Sequence, residues 1–178
     1  NVFGFSVGRP TEAGDELILA YSPKDRMQVL DTTGQEIWFG SDVFGGSSLY
    51  MLLPLDNPGM VEKRNYFPMR IRVKDLNGDG TEEVIAAQNQ EMANRRLQQS
   101  RIFNKTQINV LSWDGLGLGA VWKTRSLSGH IRDLAVGDFD QDGTQELVAV
   151  LVVKEGSLIG MDPKCAVIAF DIVSTPTE

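Results

Sequence analysis

The 178-residue sequence has one cysteine and one histidine, Cys165 and His130. A single cysteine cannot form an internal disulfide, so cysteine content leaves the redox compartment open. The sequence also lacks a G-x-S-x-G nucleophile elbow, a P-loop and a dinucleotide-binding fingerprint. We interpret His130 as a loop residue capping a sheet and Cys165 as a small apolar residue at a strand edge. The sequence therefore predicts no catalytic residue in this chain.

Long hydrophobic runs and excess positive charge are also absent. No segment approaches the ~20 apolar residues of a membrane-spanning helix. The sequence has 17 Lys and Arg and 24 Asp and Glu, which gives a net charge of −7. This acidic balance argues against a nucleic-acid partner. The hydrophobic fraction of 42% is that of an ordinary globular protein. We therefore expect one folded domain over residues 1–178, with no membrane span.

Internal repetition organises what is present. Residues 3–21, 69–87 and 131–150 align, and the matching valines Val7, Val73 and Val136 recur at intervals of 66 and 63 residues. Regular recurrence at this period is typical of repeat architectures. The repeats run approximately over residues 2–66, 67–129 and 130–173, and a polar tail follows at 174–178.

Each repeat begins with a strand, a short polar loop and a second apolar strand. The first two repeats continue with two further strands, at 27–30 and 36–39 and at 107–113 and 119–123, whereas the third has only one, at 166–171. Units of about 60 residues with four antiparallel strands are typical of β-propeller blades. No helical pattern separates the strands, which excludes a parallel α/β sheet, and a β-sandwich is the alternative. We predict an all-β fold of about three propeller-like blades.

Three blades are too few for a closed propeller, which usually has about four to eight. The third repeat also lacks a fourth strand, which leaves an edge for another strand to cover. We therefore expect a partial propeller, completed either by the rest of a larger chain or by a homo-oligomer. Residues 47–53 form an additional strand outside this blade count.

Two acidic loops occupy the same place in successive repeats. Residues 75–83 and 138–146 both read D-x-[ND]-x-D-G-x-x-E. Oxygen ligands at loop positions 1, 3, 5 and 9, with a backbone carbonyl at position 7, can converge on one cation because glycine at position 6 permits a sharp reversal. Ca²⁺ suits such a site better than Mg²⁺, which requires stricter octahedral geometry.

Two other interpretations of these loops are available. An EF-hand would have Glu at loop position 12, where this chain has Ala86 and Ala149, and helices on both sides. That interpretation is rejected. The loops could also be Asp/Gly hairpin turns without a metal, although their repetition at equivalent places disfavours it.

The segments 73–84 and 136–147 resemble the FG-GAP/VCBS repeat of integrin-type propellers and of many bacterial surface or periplasmic proteins. In that family the loop between the first two strands of a blade binds Ca²⁺. The resemblance implies two Ca²⁺ sites, whose ligands would be Asp75, Asn77, Asp79, Thr81 and Glu83, and Asp138, Asp140, Asp142, Thr144 and Glu146. The first repeat has Arg9, Thr11 and Ala13 at the acidic positions, so we predict no metal there.

The resemblance further implies a non-catalytic binding or scaffold module, recognising a protein or a glycan at a bacterial cell surface or in the periplasm. A propeller domain of a larger exported enzyme, with catalytic residues outside this chain, is the alternative. Because fold alone does not define function, the ligand is sought in the loops. The long insert 88–105 contains Arg95, Arg96 and Arg101, which are candidate partner-binding residues, whereas a merely solvated loop is the alternative.

Overall fold

Antiparallel strands make up the regular secondary structure of the computed structural model, which describes residues 4–53, 63–92, 101–154, 162 and 164–172. These residues form fourteen strands and no helix. The strands are divided among three larger sheets and one two-stranded hairpin. The all-β prediction is therefore confirmed.

The first sheet is a four-stranded meander in chain order. Its strands are β1 (Phe5–Gly8), β2 (Leu17–Tyr21), β3 (Arg26–Leu30) and β4 (Glu36–Val43). The hairpin that follows is formed by β5 (Tyr50–Leu53) and β6 (Lys63–Tyr66). β5 falls within the additional strand expected at residues 47–53, and the hairpin belongs to none of the three larger sheets.

The second sheet repeats the four-stranded meander and gains a short fifth strand. It contains β7 (Ile71–Lys74), β8 (Glu83–Glu91), β9 (Phe103–Trp113) and β10 (Leu118–Lys123), and β11 (Leu127–Ser128) pairs with β9. The third sheet has three strands among the described residues, β12 (His130–Gly137), β13 (Glu146–Lys154) and β14 (Lys164–Asp171). We call the three larger sheets blades 1, 2 and 3.

The repeat seen in the sequence is also a repeat of strand register. The three matching valines each lie in the first strand of a blade, opposite an aliphatic residue of the second strand, in the pairs Val7–Ile18, Val73–Val84 and Val136–Leu147. A register shift of one residue would turn these side chains to the opposite face. The alignment of the repeats therefore identified structurally equivalent positions.

The first strands of the three blades lie side by side. β1 contacts β7, and β7 contacts β12. Side chains join neighbouring blades: the Ser6 hydroxyl donates to the Ile71 carbonyl at 2.6 Å, and Arg72 Nε donates to the Leu134 carbonyl at 3.0 Å. Adjacent innermost strands are the arrangement expected in a propeller. The described residues form an arc of three propeller-like blades that does not close.

Burial differs between the middle blade and the outer blades. In β8, five consecutive residues from Glu83 to Ala87 are buried, as expected for a strand covered on both faces of its sheet. In β14, exposed and half-buried residues alternate from Cys165 onward, because one face of blade 3 is left open. The open face of blade 3 carries Val150 and Val167, which are 37% and 57% exposed. Phe5 and Val7 are exposed on the opposite face of blade 1, which by strand register is equivalent to the face of Val136 and Leu147 in blade 3.

Two expectations, one about the insert within blade 2 and one about His130, need correction. The insert expected at 88–105 is shorter, because β8 extends to Glu91 and β9 begins at Phe103. His130 is the first residue of β12 and is buried beside the Phe103 ring, with 5.8 Å between the ring centroids, so it is not a loop residue. Cys165 is an exposed residue of the outer strand β14, as expected.

Candidate functional site

The two acidic loops join the first and second strands of blades 2 and 3. One connects β7 to β8 and the other connects β12 to β13. Each loop begins with an Asp directly after a strand and ends in a Glu that starts the next strand, namely Asp75 with Glu83 and Asp138 with Glu146. The strands therefore fix both ends of each loop, and only the loop tip is free of the sheet.

In blade 3, the four acidic side chains of the loop converge. Carboxylate oxygens of Asp138, Asp140, Asp142 and Glu146 all lie within 4.8 Å of one another. The three aspartates are exposed, whereas Glu146 is buried at the base of the loop with 2% exposure. Four carboxylates at this separation repel one another unless a cation lies among them. The cluster has the oxygen chemistry that a hard divalent cation prefers.

Backbone N–H groups hold these carboxylates in place. The Phe139 N–H donates to Glu146 Oε2 at 2.6 Å, and the Gly143 N–H donates to Asp138 Oδ2 at 3.1 Å. At the loop tip, the Thr144 N–H donates to Asp142 Oδ1 at 2.7 Å. Each carboxylate oxygen still has further lone pairs. The hydrogen bonds therefore orient the acids without exhausting their capacity to bind a cation.

The loop of blade 2 has the same hydrogen bonds at the same positions. The Leu76 N–H donates to Glu83 Oε2 at 2.9 Å, and the Gly80 N–H donates to Asp75 Oδ2 at 3.0 Å. The Thr81 N–H donates to Asp79 Oδ1 at 2.7 Å. Glycines at the sixth position, Gly80 and Gly143, have φ of 90° and 91°. The two loops therefore share one backbone conformation, which requires this left-handed residue.

The blade 2 loop differs at its third position, where it has Asn77 in place of Asp140. The Asn77 Nδ2 donates to Asp79 Oδ2 at 2.9 Å and to Glu83 Oε1 at 3.3 Å. Its Oδ1 accepts the Asp79 N–H at 2.9 Å. The side-chain amide thus bridges two carboxylates, as a cation would. For Asn77 to bind a cation through its oxygen, this amide has to rotate.

In the blade 2 loop, the pKa values of two acids are shifted in opposite directions. Burial raises the pKa of Glu83, and the neighbouring charges of Asp79 and Asp75 raise it further. Hydrogen bonds from Thr81, above all from its hydroxyl, lower the pKa of Asp79. A buried carboxyl beside two other carboxylates is stabilised in its charged form by a nearby cation. The blade 2 loop therefore also has the electrostatics of a cation site.

The corresponding loop of blade 1 is fastened to the loop of blade 2. The Arg9 N–H donates to Glu82 Oε2 at 2.6 Å, and the Glu82 N–H donates to the Arg9 carbonyl at 3.2 Å. Arg9 also lies 3.9 Å from Glu16 in an exposed ion pair. This loop therefore contributes contacts between blades 1 and 2. It has Thr11 and Ala13 at positions where the other two loops have acidic or amide side chains.

Of the three candidate partner-binding arginines, Arg101 is described, whereas Arg95 and Arg96 lie outside the described residues. The Arg101 Nη1 donates to Asp25 Oδ2 at 2.8 Å, and the guanidinium lies over the Tyr66 ring, 4.4 Å from its centroid. Only 15% of the Arg101 side chain is exposed. Arg101 is therefore engaged within the chain, and the role of the three arginines in partner binding stays a prediction.

The comparison with protein families agrees with this geometry. Residues 75–149, which begin at the first ligand position of one acidic loop and extend beyond the end of the other, match the FG-GAP-like repeat. The resemblance to an FG-GAP-type repeat that the sequence indicated is therefore confirmed over this segment, which is 75 of the 178 residues. No curated protein matches the chain. Within the described residues, no helix is long and apolar enough to cross a membrane.

A cleft between blades 1 and 2 was missed from the sequence. It has a volume of about 220 Å³ and is lined by Trp38 of β4, by Gln107 and Asn109 of β9, and by the strands beside them. Gln107, Asn109 and Leu111 alternate along β9, so they share the sheet face that contacts blade 1. The available signal in the sequence was that Gln107 and Asn109 alternate in step with Leu111, which is a core residue. The sequence could not show which blade this face of β9 would contact.

Proposed function

We propose that this chain is a calcium-stabilised, propeller-type binding or scaffold module without catalytic activity of its own. The observation that carries the proposal is the convergence of four carboxylates within 4.8 Å in the blade 3 loop. The matching backbone and hydrogen bonds of the blade 2 loop support a second site. Ca²⁺ fits both loops because it accepts six to eight oxygen ligands in flexible geometry.

The two sites would use the residues expected from the sequence. Carboxylates would supply most of the charge, Asn77 its side-chain oxygen, and Thr81 and Thr144 their backbone carbonyls at loop position 7. A cation bound to the folded loops and not to the unfolded chain stabilises the fold by linkage. In this proposal, calcium has a structural role, since each loop lies between two strands that it would hold in register.

Recognition of a protein or a glycan outside the cytoplasm is the second part of the proposal. Rigid blades presenting loops at their rims are a common basis for recognition, and the FG-GAP-type repeat supports a propeller-like scaffold of this kind. Arg95 and Arg96 are proposed as partner contacts on the rim opposite the acidic loops. The alternative is a propeller domain of a larger exported enzyme, with its catalytic residues in other parts of that protein.

We further propose that the open faces of blades 1 and 3 are covered by more blades. Exposed Phe5 and Val7 at one end of the arc, and Val150 and Val167 at the other, support this proposal because propeller blades bury such faces against each other. The additional blades would come from a longer chain or from a second copy. The mass of the native gene product, together with the solution mass of the chain, distinguishes these sources.

Calcium titration by calorimetry, with thermal unfolding in Ca²⁺ and in chelator, tests the central proposal. We expect two sites, one lost in Asp79→Ala and the other in Asp142→Ala, each with a smaller stabilisation by Ca²⁺. Glu12→Ala is the matched control, because Glu12 is an exposed acid in the blade 1 loop that lacks the ligand pattern. Absence of binding at millimolar Ca²⁺ would make the loops ordinary turns.

A further inference from the structure

The tip of the blade 2 loop carries an exposed asparagine followed by a glycine. Asn77 and Gly78 are both exposed, and Gly78 has a φ of 79°. No other asparagine of the sequence precedes a glycine. We propose that Asn77 deamidates spontaneously when the loop is free of calcium, and that Ca²⁺ bound in the loop slows this reaction. The proposal names a modification that regulates the blade 2 site, and its calcium part rests on the function proposed above.

Deamidation at such a pair needs no enzyme. The backbone nitrogen of Gly78 attacks Asn77 Cγ, so that a C–N bond forms and the Cγ–Nδ2 bond breaks. The peptide N–H proton leaves with the side-chain nitrogen as ammonia. Water then opens the five-membered imide at either of its two carbonyls, which gives aspartate or isoaspartate at position 77. Because the first step is intramolecular, its rate depends on how closely the two groups are held.

Hydrogen bonds in the blade 2 loop hold these two groups close together. Asn77 Oδ1 accepts the Asp79 N–H at 2.9 Å, so the side chain folds forward over Gly78 as in an Asx turn. The Asn77 Nδ2 donates to Asp79 Oδ2 and to Glu83 Oε1, at 2.9 and 3.3 Å. The turn closed by the bond to the Asp79 N–H includes both Asn77 Cγ and the Gly78 nitrogen. The calcium-free loop therefore keeps the reacting atoms near each other.

Gly78 leaves the attacking nitrogen accessible. A Cβ at this position would meet no atom within 4 Å. The Gly78 N–H donates to Asp75 Oδ1 at 2.7 Å and takes no part in strand pairing. A side chain at this position would hinder the attack and restrict the backbone rotation that ring closure requires. Water, the second reactant, reaches the exposed tip of the loop.

The other described asparagines lie in strands. Asn89 and Asn109 are 4% and 5% exposed in β8 and β9. Asn65 lies in β6 and Asn104 lies at the start of β9, and each is followed by a residue with a long side chain. An extended backbone turns successive side chains to opposite faces, which does not fold an amide over the following nitrogen. The reactive arrangement is therefore specific to the blade 2 loop among the described residues.

Calcium would remove the reactive arrangement. To bind a cation through Oδ1, the Asn77 amide has to rotate away from its bond with the Asp79 N–H. A cation bound to Asp75, Asp79 and Glu83 would also tie the loop together and oppose the rotation needed for ring closure. The calcium-loaded loop should therefore deamidate more slowly than the free loop.

The two products change the blade 2 site in different ways. Aspartate at position 77 gives this loop the same set of acids as the blade 3 loop, which has Asp140 at the equivalent position. Isoaspartate adds one carbon to the backbone and displaces the acid, so the ligands no longer converge. Because Asp140 has no side-chain amide, the blade 3 loop is not subject to this change. Loss of calcium would therefore lead to modification of one site and not of the other.

The test follows the full chain by peptide mass spectrometry and by enzymatic methylation of isoaspartate, at mildly alkaline pH, in chelator and in millimolar Ca²⁺. In chelator, we expect the peptide containing Asn77 to convert at least about tenfold faster than the peptide containing Asn104, which is also exposed. In Ca²⁺, its conversion should slow severalfold. Asn77→Gln should abolish the conversion, because the longer side chain would have to close a six-membered ring.

Asp140→Asn is the matched control for the glycine. It places an asparagine at the equivalent position of the blade 3 loop, before Gln141, and this asparagine should convert more slowly than Asn77. If Asn77 converts no faster than Asn104 in chelator, the inference is wrong. Equal rates in chelator and in Ca²⁺, while calorimetry finds calcium in the blade 2 loop, would overturn the protection. If calorimetry finds no calcium there, the proposed function fails and the protection fails with it, whereas the rate in chelator still decides whether Asn77 is the modified residue.

Discussion

Gln141 and Gly78 occupy the same left-handed backbone conformation, with φ of 65° and 79°, at the fourth position of the two acidic loops. This conformation costs a residue with a Cβ about 1–2 kcal/mol, and glycine adopts it freely. Blade 3 therefore holds a strained residue among its four acids, whereas blade 2 does not at this position. Backbone strain of this kind persists where the surrounding structure enforces it.

Loop strain can be measured by glycine substitutions in blade 3. Gly143→Ala should destabilise the chain by about 1–2 kcal/mol in urea unfolding, because the residue has a φ of 91°. Gln141→Gly should be neutral or stabilising by up to about 1 kcal/mol, since relief of strain opposes the entropy of an added glycine. Gly137→Ala is the control, because Gly137 has open space around it and no positive φ. An equal loss in Gly143→Ala and Gly137→Ala would contradict the explanation.

Glu146 should have two separable roles, one in the fold and one in calcium binding. Glu146→Ala removes the acceptor of the Phe139 N–H, so it should cost about 1–2 kcal/mol even in chelator. Glu146→Gln keeps an acceptor oxygen but loses the charge, so it should mainly reduce the stabilisation by Ca²⁺. If the proposed site binds Ca²⁺, that stabilisation would be about 2.7 kcal/mol in the wild type at a Ca²⁺ concentration one hundred times the Kd of the site. Paired unfolding curves with Ca²⁺ and with chelator measure both effects, and an identical response of the two variants would contradict the separation.

The turn between β3 and β4 should add a pH-dependent contribution to stability. Asp31 Oδ1 accepts hydrogen bonds from the Thr33 hydroxyl at 2.6 Å, from the Thr33 N–H at 2.8 Å and from the Gln35 N–H at 2.9 Å. These bonds, above all that from the Thr33 hydroxyl, lower the pKa of Asp31. Because the pKa is lower in the folded than in the unfolded chain, this stabilisation is present above the unfolded value of about 3.9 and is lost as pH falls through the folded value.

Asp31→Ala should therefore be less stable than the wild type at neutral pH, and the difference should shrink at acidic pH. Chemical unfolding at a series of pH values measures this difference. Glu36→Gln, which removes an exposed charge from the same hairpin, is the control for changes in net charge. A difference between Asp31→Ala and the wild type that does not change with pH would show that the hydrogen bonds do not depend on ionisation.

The ion pair of Arg101 with Asp25 should be strongly coupled, because the two side chains are only 15% and 12% exposed. Arg101→Met leaves the Asp25 carboxylate buried without this cation, and should cost about 3 kcal/mol. Asp25→Asn is the second substitution of the cycle. Asparagine suits this position because, like aspartate, it tolerates a φ of 57°. A double-mutant cycle in urea should give a coupling energy of about 1–3 kcal/mol. Additive effects would contradict the coupling.

An exposed ion pair provides the comparison for this cycle. Arg70 Nε lies 3.6 Å from Asp133, and the two side chains are 64% and 44% exposed. Solvent screens such pairs, so Arg70→Met should change stability by less than about 1 kcal/mol. The same comparison bears on recognition: any loss of partner capture in Arg101→Ala has to be corrected for unfolding, whereas Arg95→Ala and Arg96→Ala test partner contacts on the proposed rim.

Local patterns predicted the strands of this protein well. β3 and β10 were expected at 27–30 and 119–123, within one residue of their observed bounds, because alternating apolar residues and Asp or Gly turns are local signals. The length of β8 was underestimated. Its last residues, Gln88 to Glu91, are polar, and they remain in the strand because they pair with the start of β9. Such pairing depends on residues distant in sequence, so no local pattern could predict it.

By itself, the sequence determined the repeat, the antiparallel strands within each repeat and the acidic residues of the two loops. These follow from local spacing, since alternation defines strand faces and glycine at a fixed position permits the loop reversal. Tertiary structure alone decided which faces meet between blades. It paired Arg101 with Asp25 and enclosed Asn109 in a cleft opposite Trp38. The physical reason is that contacts between sheets depend on the packing of whole blades, which no single repeat encodes.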